Sequence, residues 1–500
     1  MSVAGETGSI PGWDDDTRYR QWIDGEQVGG SKGTYPIINP ATEELVGLAP
    51  EGSADDARKA AAAAGAAFPA WSRTTPEHRA QLLEKAASIL ESRYGELIPL
   101  VQAETGSTLA MTRTAQVPGA VVRIRRYVRG ALEPMEVVFP PVPNHGGPGG
   151  PGPGLINAMA VRAPVGVVGC ITSYNVPLSN VVGKIAPALV TGNTVIVKPA
   201  HQDPLGVIEM VRAFNEAGFP PGVVNLVLGS TPEVGEALVA APEVTMVSFT
   251  GSSLVGRLIS EAAAKGFKRV LTELGGKGAA VVFAGADLDN AATQIASTWT
   301  FHMGQICTAP TRVIAQRAIH DQLVDKLAGV ARGLKVGDPL AADTIVGPVI
   351  TRQHRERVEA MVASGLADGA TAVTGGARPD LDKGFFVAPT LLADATNQMY
   401  VAREEIFGPV VVVIPFDDEE EGIAIANDST YGLYGYVFSG DTAHGMGVAK
   451  RLRSGNVGIN TANRNPETPF GGVKESGIGR DGGSFAMHAY TEWQSLVWPS

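Results

Sequence analysis

Two cysteines occur in this chain of 500 residues, and one of them, Cys307, lies in the segment FHMGQICTAP. A thiolate is a strong nucleophile. A free cysteine is also among the residue types most often buried in a core. Cys307 by itself therefore leaves two interpretations open, a reactive thiol or a small buried side chain, and the residues that could assist a thiol must decide between them.

Four further residues follow strand-like runs. They are Asn175 in SYNVP, Lys198 at the end of TVIVKPA, Gly251 in FTGSSLVGR and Glu273 in TELGGKGAA. Singly, each has an ordinary structural explanation, such as a turn-forming asparagine or a lysine with a solvated head. Because the carboxyl ends of parallel strands meet at one edge of a sheet, we expect all four to lie near Cys307. An amide donor, a carboxylate base and a thiol together can form and hydrolyse a thioester.

Other nucleophile and phosphate-binding motifs fit less well. No GxSxG is present, so a serine-hydrolase elbow is unsupported. Arg257 and Leu258 stand where a Walker A motif requires Lys and Ser or Thr, and GxGxxG is absent there. His302 lies five residues before Cys307 and suggests a Cys-His dyad, but no papain or caspase signature surrounds the cysteine. We expect His302 to be structural.

The elements that would position these residues begin near Val165. VGVVGCI, TVIVKPA, VVNLVLG and VTMVSFTG are short apolar runs separated by helix-like segments such as DPLGVIEMVRAFNEAG. This alternation predicts a parallel, doubly wound α/β sheet. A second series of the same kind starts near Gly278 and predicts a second α/β domain. In front of both, Thr75 and Pro76 indicate the start of an amphipathic helix over TTPEHRAQLLEKAASILESRYGELI.

The segment FPPVPNHGGPGGPGPGL contains too many prolines and glycines for a helix. It could be a disordered linker. We favour the tip of a β-hairpin, because MEVVF before it and INAMAV after it are both strand-like.

Composition limits the function classes. A chain of this length divides into more than one domain. The net charge of −11 arises from scattered acidic residues, which disfavours binding to nucleic acid. The start MSVAGETGSIPGWDDD carries no targeting signal, and long apolar runs are absent, so we expect a soluble cytoplasmic protein without membrane contact. The two cysteines lie 137 positions apart, and the chain has no CxxC motif and no histidines at ligand spacing. This pattern fits neither a disulfide framework nor a metal site.

In combination, these segments resemble the NAD(P)-dependent aldehyde dehydrogenase superfamily. The resemblance runs from about Trp22 to Trp493 through APVGVVG, SYNVP, TVIVKPA, FTGSSLVG, TELGGK, GQIC, EEIFGPV and PFGGVKESGIGR. Glu273 and Cys307 are 34 residues apart, a separation that is typical of this family. The resemblance implies two doubly wound parallel-sheet domains, one of them a Rossmann-like cofactor domain and the other catalytic, with a small β arm for oligomerisation.

The family's mechanism assigns roles to the matching residues. Cys307 is similar to the nucleophile that attacks the aldehyde, and the Asn175 amide with the Cys307 backbone N–H resembles the oxyanion hole. Hydride then passes to the nicotinamide, and Glu273 resembles the base that activates water against the thioester. Lys184 and Asp481 resemble a proton-relay pair, although aspartate is shorter than the usual glutamate.

On the cofactor side, the resemblance implies NAD. Lys198 resembles the residue that binds the adenosine ribose, and Glu405 and Phe407 resemble those that hold the nicotinamide ribose and ring. His201 stands where members that prefer NAD usually carry a glutamate, and its presence removes a charge that would repel a 2′-phosphate. We therefore expect NAD first, with NADP usable. The remaining predicted cofactor contacts are Gly229, Gly251, Ser252 and Gly256.

The family layout predicts a cofactor domain from residues 1–136 and 160–275, a catalytic domain from 276–482, and an oligomerisation arm from 137–159 and 483–500. A homodimer or homotetramer follows from such an arm. The predicted pocket has no lysine or arginine, so apolar or aromatic aldehydes are the expected substrates. Its members are Tyr174, Trp299, Phe301, Ile306, Thr308 and Phe470.

Two other function classes stay open. The fold could serve as a binding or structural protein without turnover. Alternatively, the thiol could hydrolyse esters or thioesters without any redox step.

Overall fold

The computed structural model describes residues 18–146 and 152–499. The opening segment MSVAGETGSIPGWDDD and the predicted hairpin tip at 147–151 therefore lie outside the described residues.

Strands occur along the whole length of the described residues. In chain order they are β1 (Gln21–Ile23), β2 (Glu26–Val28), β3 (Thr34–Ile38), β4 (Leu45–Pro50), β5 (Glu136–Asn144), β6 (Gly154–Pro164), β7 (Val167–Ile171), β8 (Thr194–Lys198), β9 (Val224–Leu226), β10 (Val244–Thr250), β11 (Arg269–Glu273), β12 (Ala279–Val282), β13 (Arg312–Gln316), β14 (Thr371–Thr374), β15 (Thr390–Ala393), β16 (Val410–Phe416), β17 (Tyr434–Phe438), β18 (Asn456–Ile459), β19 (Gly477–Ile478) and β20 (Thr491–Pro499).

The α-helices follow in the same order. They are α1 (Ala54–Trp71), α2 (Pro76–Ser92), α3 (Tyr94–Thr105), α4 (Leu109–Met111), α5 (Val117–Gly130), α6 (Pro177–Val190), α7 (Leu205–Ala217), α8 (Glu233–Ala240), α9 (Ser253–Ala264), α10 (Leu288–Thr300), α11 (His320–Arg332), α12 (Arg352–Ala367), α13 (Tyr400–Arg403), α14 (Glu419–Asn427), α15 (Thr442–Ala449) and α16 (Gly483–Ala489). A π-helical turn, Thr112–Gln116, joins α4 to α5, and 3-10 turns lie at Phe301–Gly304, Arg317–Ile319 and Lys474–Ser476.

The first large sheet has eight strands in the order β19-β11-β10-β7-β8-β9-β1-β2. Its central strands β11, β10, β7, β8 and β9 are parallel, and β19, β1 and β2 pair antiparallel at the edges. The strand β7, VVGCI, is buried at every position, as expected of a parallel strand covered by helices on both faces.

The second large sheet has seven strands in the order β14-β15-β16-β13-β12-β17-β18. All its neighbouring pairs are parallel except β14 with β15. The chain crosses from the first sheet to the second between β11 and β12, through the glycines of TELGGKGAA. The predicted class of two doubly wound parallel sheets is confirmed.

The hairpin predicted around the Pro/Gly-rich segment is present in its described parts. β5 and β6 pair antiparallel, and β20 pairs with the other edge of β6, which gives a separate three-stranded sheet. The strand β19 belongs to the first large sheet, although it falls within the range predicted for the catalytic domain. The domain boundaries and the role of the hairpin in assembly remain predictions.

The helix predicted from Thr75 begins at Pro76, and the Thr75 side chain accepts a hydrogen bond from the backbone N–H of His78 at 3.3 Å. It ends at Ser92 instead of continuing through YGELI, which belongs to α3. Arg93 between them has φ −104° and ψ 14°, so the chain turns there while the apolar pattern continues in a new direction.

Among residues 18–146 and 152–499, no helix is long and apolar enough to span a membrane.

Candidate active site

Cys307 follows a short turn that packs against the rest of the site. In the turn Phe301–Gly304, His302 and Met303 have the left-handed φ values 48° and 57°. A Cβ on Gly304 would lie 2.2 Å from the Gly408 carbonyl oxygen, so only glycine fits there. Non-glycine residues in this region of backbone space are strained, and such strain persists where the surroundings fix it, often at functional sites. Cys307 itself is partly exposed.

The glycine pair that follows Glu273 makes close contacts with other parts of the chain. A Cβ on Gly276 would lie 2.2 Å from the Cys307 carbonyl oxygen, and one on Gly275 would lie 2.5 Å from Glu405 Oε2. The Gly276 N–H donates to Glu405 Oε1 at 2.8 Å. Segments from three parts of the chain therefore meet at this crossover between the two large sheets.

The Asn175 side chain is buried and held in one orientation. Its Oδ1 accepts from Ser173 Oγ at 2.8 Å and from Asn180 Nδ2 at 3.1 Å. Its Nδ2 donates to the Gln305 carbonyl at 2.9 Å, two residues before Cys307. An amide nitrogen has two N–H donors. The Gln305 carbonyl takes one of them, and the described residues show no partner for the other.

Glu273 ends β11 and is 6% exposed. Neither of its carboxylate oxygens has a hydrogen-bond partner among the described residues. Burial, with the charge of Asp481 in addition, raises the pKa of Glu273 well above its usual value. Lys184, Arg480 and Arg464 act in the opposite direction. Buried carboxylates are almost always hydrogen-bonded, so an unsatisfied one is the kind of group that binds a substrate or a reacting water.

Burial raises the pKa of the Cys307 thiol to about 12. The charge of Arg464 lowers it, while Glu405 and Glu273 raise it further. The thiol is thus neutral at neutral pH, and a base or an additional cation is needed to form the reactive thiolate.

The predicted relay residues Lys184 and Asp481 lie close enough to act on Glu273, but their hydrogen bonds point elsewhere. Lys184 Nζ donates to Ser248 Oγ at 3.1 Å, and burial lowers its pKa. Asp481 Oδ2 accepts from Arg123 Nη2 at 2.9 Å. The shorter aspartate therefore pairs with a cation from α5, and the proton-relay role remains a prediction.

Lys198 lies at the end of β8 in the first sheet. Its Nζ donates to the carbonyls of Pro199 at 3.3 Å and Gly229 at 3.2 Å, and burial lowers its pKa to about 8 against the opposing charge of Glu51. His201 is exposed nearby. The predicted ribose-binding residues are therefore neighbours at the carboxyl end of parallel strands, where α/β sheets bind ligands.

The N-terminus of α9 forms the next part of this edge. Ser252 caps the helix by accepting from the Val255 N–H at 3.3 Å, and the Gly251 N–H donates to the Glu273 carbonyl at 3.1 Å. A Cβ on Gly256 would lie 2.5 Å from the side chain of Leu274, which keeps the first turn of the helix against the sheet. The N–H groups of such a turn suit a phosphate.

Glu405 and Phe407 follow α13, and the charge of Glu405 acts on the Cys307 thiol. Burial raises the pKa of Glu405 to about 7. Phe407 has φ 57°, and His354 Nε2 donates to its carbonyl at 2.7 Å. Its ring meets that of Tyr174 edge-on at 5.8 Å. Tyr174 is therefore placed beside the predicted nicotinamide position.

The other predicted pocket residues differ in exposure. Phe301 is 43% exposed, whereas Trp299 is fully buried in the core of the second sheet. Thr308 is buried and its carbonyl accepts from the Tyr436 hydroxyl at 2.7 Å, and Ile306 is partly exposed. Phe470 packs against the same core as Trp299. Trp299 therefore has no exposed surface, and its place in the pocket remains a prediction.

Three charged residues near the site have no signal in the sequence. The guanidinium of Arg464 lies 4.0 Å from the centre of the Phe470 ring, which adds a cation to a pocket that the sequence predicts to be uncharged. Arg123 pairs with Asp481, and the charge of Glu51 raises the pKa of Lys198 against the larger effect of burial.

His302 is buried, with its Nδ1 3.5 Å from Ser107 Oγ, in agreement with a structural role.

The chain matches the model of the "Aldehyde dehydrogenase family" over residues 27–496. It is 39% identical to the 3-succinoylsemialdehyde-pyridine dehydrogenase of a Pseudomonas species, over 96% of this chain and 98% of the relative. It is 38% identical to the betaine aldehyde dehydrogenase of Bacillus subtilis, over 94% and 95% of the two chains. A variant of aldehyde dehydrogenase C from Pseudomonas syringae, crystallised with NAD+ and octanal, superposes with a TM-score of 0.91 at 38% identity, covering 97% of each chain.

Proposed function

Because the chain belongs to the aldehyde dehydrogenase family, we propose that it oxidises apolar or aromatic aldehydes to carboxylic acids with NAD+, using Cys307 as nucleophile. The observation that carries this proposal is the meeting of Asn175, Glu273 and Cys307 at the crossover between the two large sheets. A donor, a base and a thiol at one point are the groups that the two-stage covalent reaction requires.

In the first stage, the Cys307 thiol releases its proton to solvent, and the thiolate sulfur bonds to the aldehyde carbon. The carbonyl oxygen becomes an oxyanion that accepts from the free Asn175 N–H and the Cys307 backbone N–H. Bound NAD+ supplies the acceptor for the hydride that leaves this thiohemiacetal, and a thioester remains on Cys307. In the second stage, Glu273 takes a proton from water, the hydroxide adds to the thioester, and the acid leaves as the C–S bond breaks.

The residues around the first sheet suit NAD+. Lys198 and the capped N-terminus of α9 offer donors for ribose and pyrophosphate, and Glu405 offers acceptors for the second ribose. The Phe407 ring would lie against the nicotinamide. The similar P. syringae enzyme was crystallised with NAD+.

The substrate class rests on the pocket, because relatives of nearly equal identity are named for different aldehydes. Tyr174, Phe301, Ile306 and Phe470 give apolar and aromatic surface, which suits an apolar or aromatic body. Arg464 lies over Phe470, so an anionic substituent on such an aldehyde would meet a cation at this wall.

The test is the absorbance of NADH at 340 nm with a panel of benzaldehyde, octanal, 4-carboxybenzaldehyde, succinate semialdehyde and betaine aldehyde. We expect the highest kcat/KM with benzaldehyde, octanal or 4-carboxybenzaldehyde. A far higher value for succinate semialdehyde or betaine aldehyde would contradict the substrate class. Ester hydrolysis without NADH from any aldehyde would favour a thiol hydrolase, and cofactor binding without turnover would favour a binding protein.

We also propose that the chain is a cytoplasmic homodimer or homotetramer. The sheet of β5, β6 and β20 exposes Val138, Phe139, Trp493 and Val497, an apolar surface that a second copy could cover. Both cysteines are free, as is usual in a reducing compartment. Light scattering coupled to size-exclusion chromatography tests the assembly, and a monomeric mass would contradict it. Cell fractionation tests the location.

A further inference from the structure

Resting on the proposed use of NAD+, we propose that Glu51 faces the adenosine ribose of the bound cofactor and selects NAD+ over NADP+. The sequence places His201, not a glutamate, three residues after Lys198, which predicts weak discrimination. The fold brings a carboxylate to the same edge from a different part of the chain.

Glu51 directly follows β4, a strand that forms a two-stranded sheet with β3, separate from the cofactor sheet. Its backbone is held firmly at this position. The Glu51 N–H donates to the Gly33 carbonyl at 2.8 Å, and its own carbonyl accepts from the Lys32 N–H at 2.9 Å. A Cβ on Gly30 would lie 2.4 Å from that carbonyl oxygen. The side chain therefore starts from a fixed point.

The carboxylate reaches across to the loop after β9. Its oxygens Oε1 and Oε2 accept from the Ser230 N–H at 3.0 Å and 3.2 Å. A Cβ on Gly229 would lie 3.5 Å from Oε1, so the carboxylate packs against that residue. The Gly229 carbonyl is the acceptor for Lys198 Nζ. Glu51, Gly229, Ser230 and Lys198 thus form one continuous rim at the ribose position.

The negative charge and the free acceptor sites of the Glu51 carboxylate favour a ribose that carries no 2′-phosphate. The charge of Glu51 favours the cationic forms of both Lys198 and His201, against the larger effect of burial, so it acts on both predicted ribose contacts. A carboxylate has about four lone-pair sites, and the single Ser230 N–H leaves some of them for a ribose hydroxyl. A 2′-phosphate at the same place would meet like charge at close range.

The main experiment measures the dissociation constants of NADH and NADPH by fluorescence titration without any aldehyde. For the wild-type protein we expect NADH to bind about tenfold or more tightly than NADPH. In Glu51→Gln we expect this preference to fall by about tenfold or more, chiefly because NADPH binds more tightly. The amide keeps an acceptor for Ser230, so the loop after β9 is retained.

Two variants serve as controls. Glu51→Asp keeps the charge and should keep most of the preference. Glu233→Gln removes a nearby carboxylate that pairs with Lys32 and accepts from the Ala54 N–H, and it should leave the ratio unchanged. Thermal melting checks that each variant is folded.

Equal affinities for NADH and NADPH in the wild-type protein would overturn the proposal even if Glu51→Gln failed to fold. An equal loss of affinity for both cofactors in Glu51→Gln would also overturn it, because that result indicates support of the loop and no selection. Equal binding of NADH and NADPH would refute only the role of Glu51. Failure to bind either cofactor would refute the proposed dehydrogenase function as well.

Discussion

The two cysteines lie in regions that give their thiols similar acidity and very different surroundings. Cys170 lies in β7 with no exposed surface, and its Sγ donates to the carbonyl of Val168, two residues before it, at 3.9 Å. Cys307 lies in an irregular segment between α10 and β13, partly exposed. Burial raises the pKa of both thiols to about 12.

Thiol acidity therefore does not distinguish the candidate nucleophile Cys307 from the core residue Cys170. Cys170 is surrounded by the apolar core of the first sheet. The backbone carbonyl of Cys307 lies against Gly276, and the Asn175 side chain donates a hydrogen bond to the carbonyl of Gln305 in the same loop. Partners from other elements therefore decide which thiol can react, and replacing each thiol and its partners in turn tests that conclusion.

Replacement of Cys307 by Ala should have the largest effect. We expect kcat/KM for aldehyde oxidation to fall by about 10⁴-fold or more, because no other group can form the thioester. NADH binding should persist, since the cofactor residues are unchanged. Aldehyde oxidation that survives in this variant would remove Cys307 from its assigned role, and Cys170→Ala is the matched control.

Glu273→Gln should affect the second stage more than the first. Loss of the general base is expected to slow thioester hydrolysis by about 10²–10⁴-fold. A stopped-flow trace should then show a burst of NADH followed by a slow steady rate. Because the pKa of Glu273 is raised, the wild-type steady rate should increase with pH as the carboxylate loses its proton. A Gln variant with the same pH profile and no burst would argue against the assignment.

Asn175→Ala should reduce kcat by about 10²–10³-fold through loss of an oxyanion donor. Asn180→Ala offers a comparison and should cost less, because Asn180 Nδ2 donates to Ser173 and to Asn175 Oδ1 and so acts on the Asn175 amide only indirectly. The kcat values of both variants with one aldehyde give the test. A larger effect for Asn180 than for Asn175 would contradict direct contact with the oxyanion.

Alkylation separates the two thiols without mutation. With iodoacetamide, the native protein should be modified at Cys307 and not at Cys170, which has no exposed surface. Below a thiol pKa of about 12, the thiolate fraction and hence the rate should rise about tenfold for each pH unit between pH 7 and 9. Peptide mass spectrometry identifies the site, and equal labelling of Cys170 would indicate that β7 opens readily.

Cys170→Ala should have the smallest effect on catalysis. Its kcat/KM should stay within about twofold of the wild-type value, whereas the lost core contact should destabilise the fold by about 1–2 kcal/mol. A lower Tm with retained activity is the expected result. A large loss of activity in a folded Cys170→Ala protein would show that the two regions are coupled.

Much of the fold could be predicted because its signals are local. Short apolar runs divided by helix-like segments predict parallel strands, and Thr75 with Pro76 predicts the start of α2. The glycine pair after Glu273 is visible in the sequence, but only the fold shows that it lies against Cys307 and Glu405. The break at Arg93 is not predicted, since the apolar period continues on both sides of it.

The charges around the site could not be predicted in the same way. Arg464 precedes Phe470 by six residues in an irregular segment, and Arg123 lies in a helix rich in arginine, so neither position stands out. Burial could not be predicted either, because Trp299 lies near Cys307 in sequence and has no exposed surface in the fold.

By itself, the sequence determined the α/β class, the two sheets, the likeness to aldehyde dehydrogenases and the candidates Asn175, Glu273 and Cys307. These follow from backbone preference, apolar period and motif order, which are properties of neighbouring residues. Only the tertiary structure decided that Asp481 pairs with Arg123 and that Glu51 lies beside Lys198. Electrostatic effects depend on distance through space, and that distance is set by folding between segments far apart in the chain.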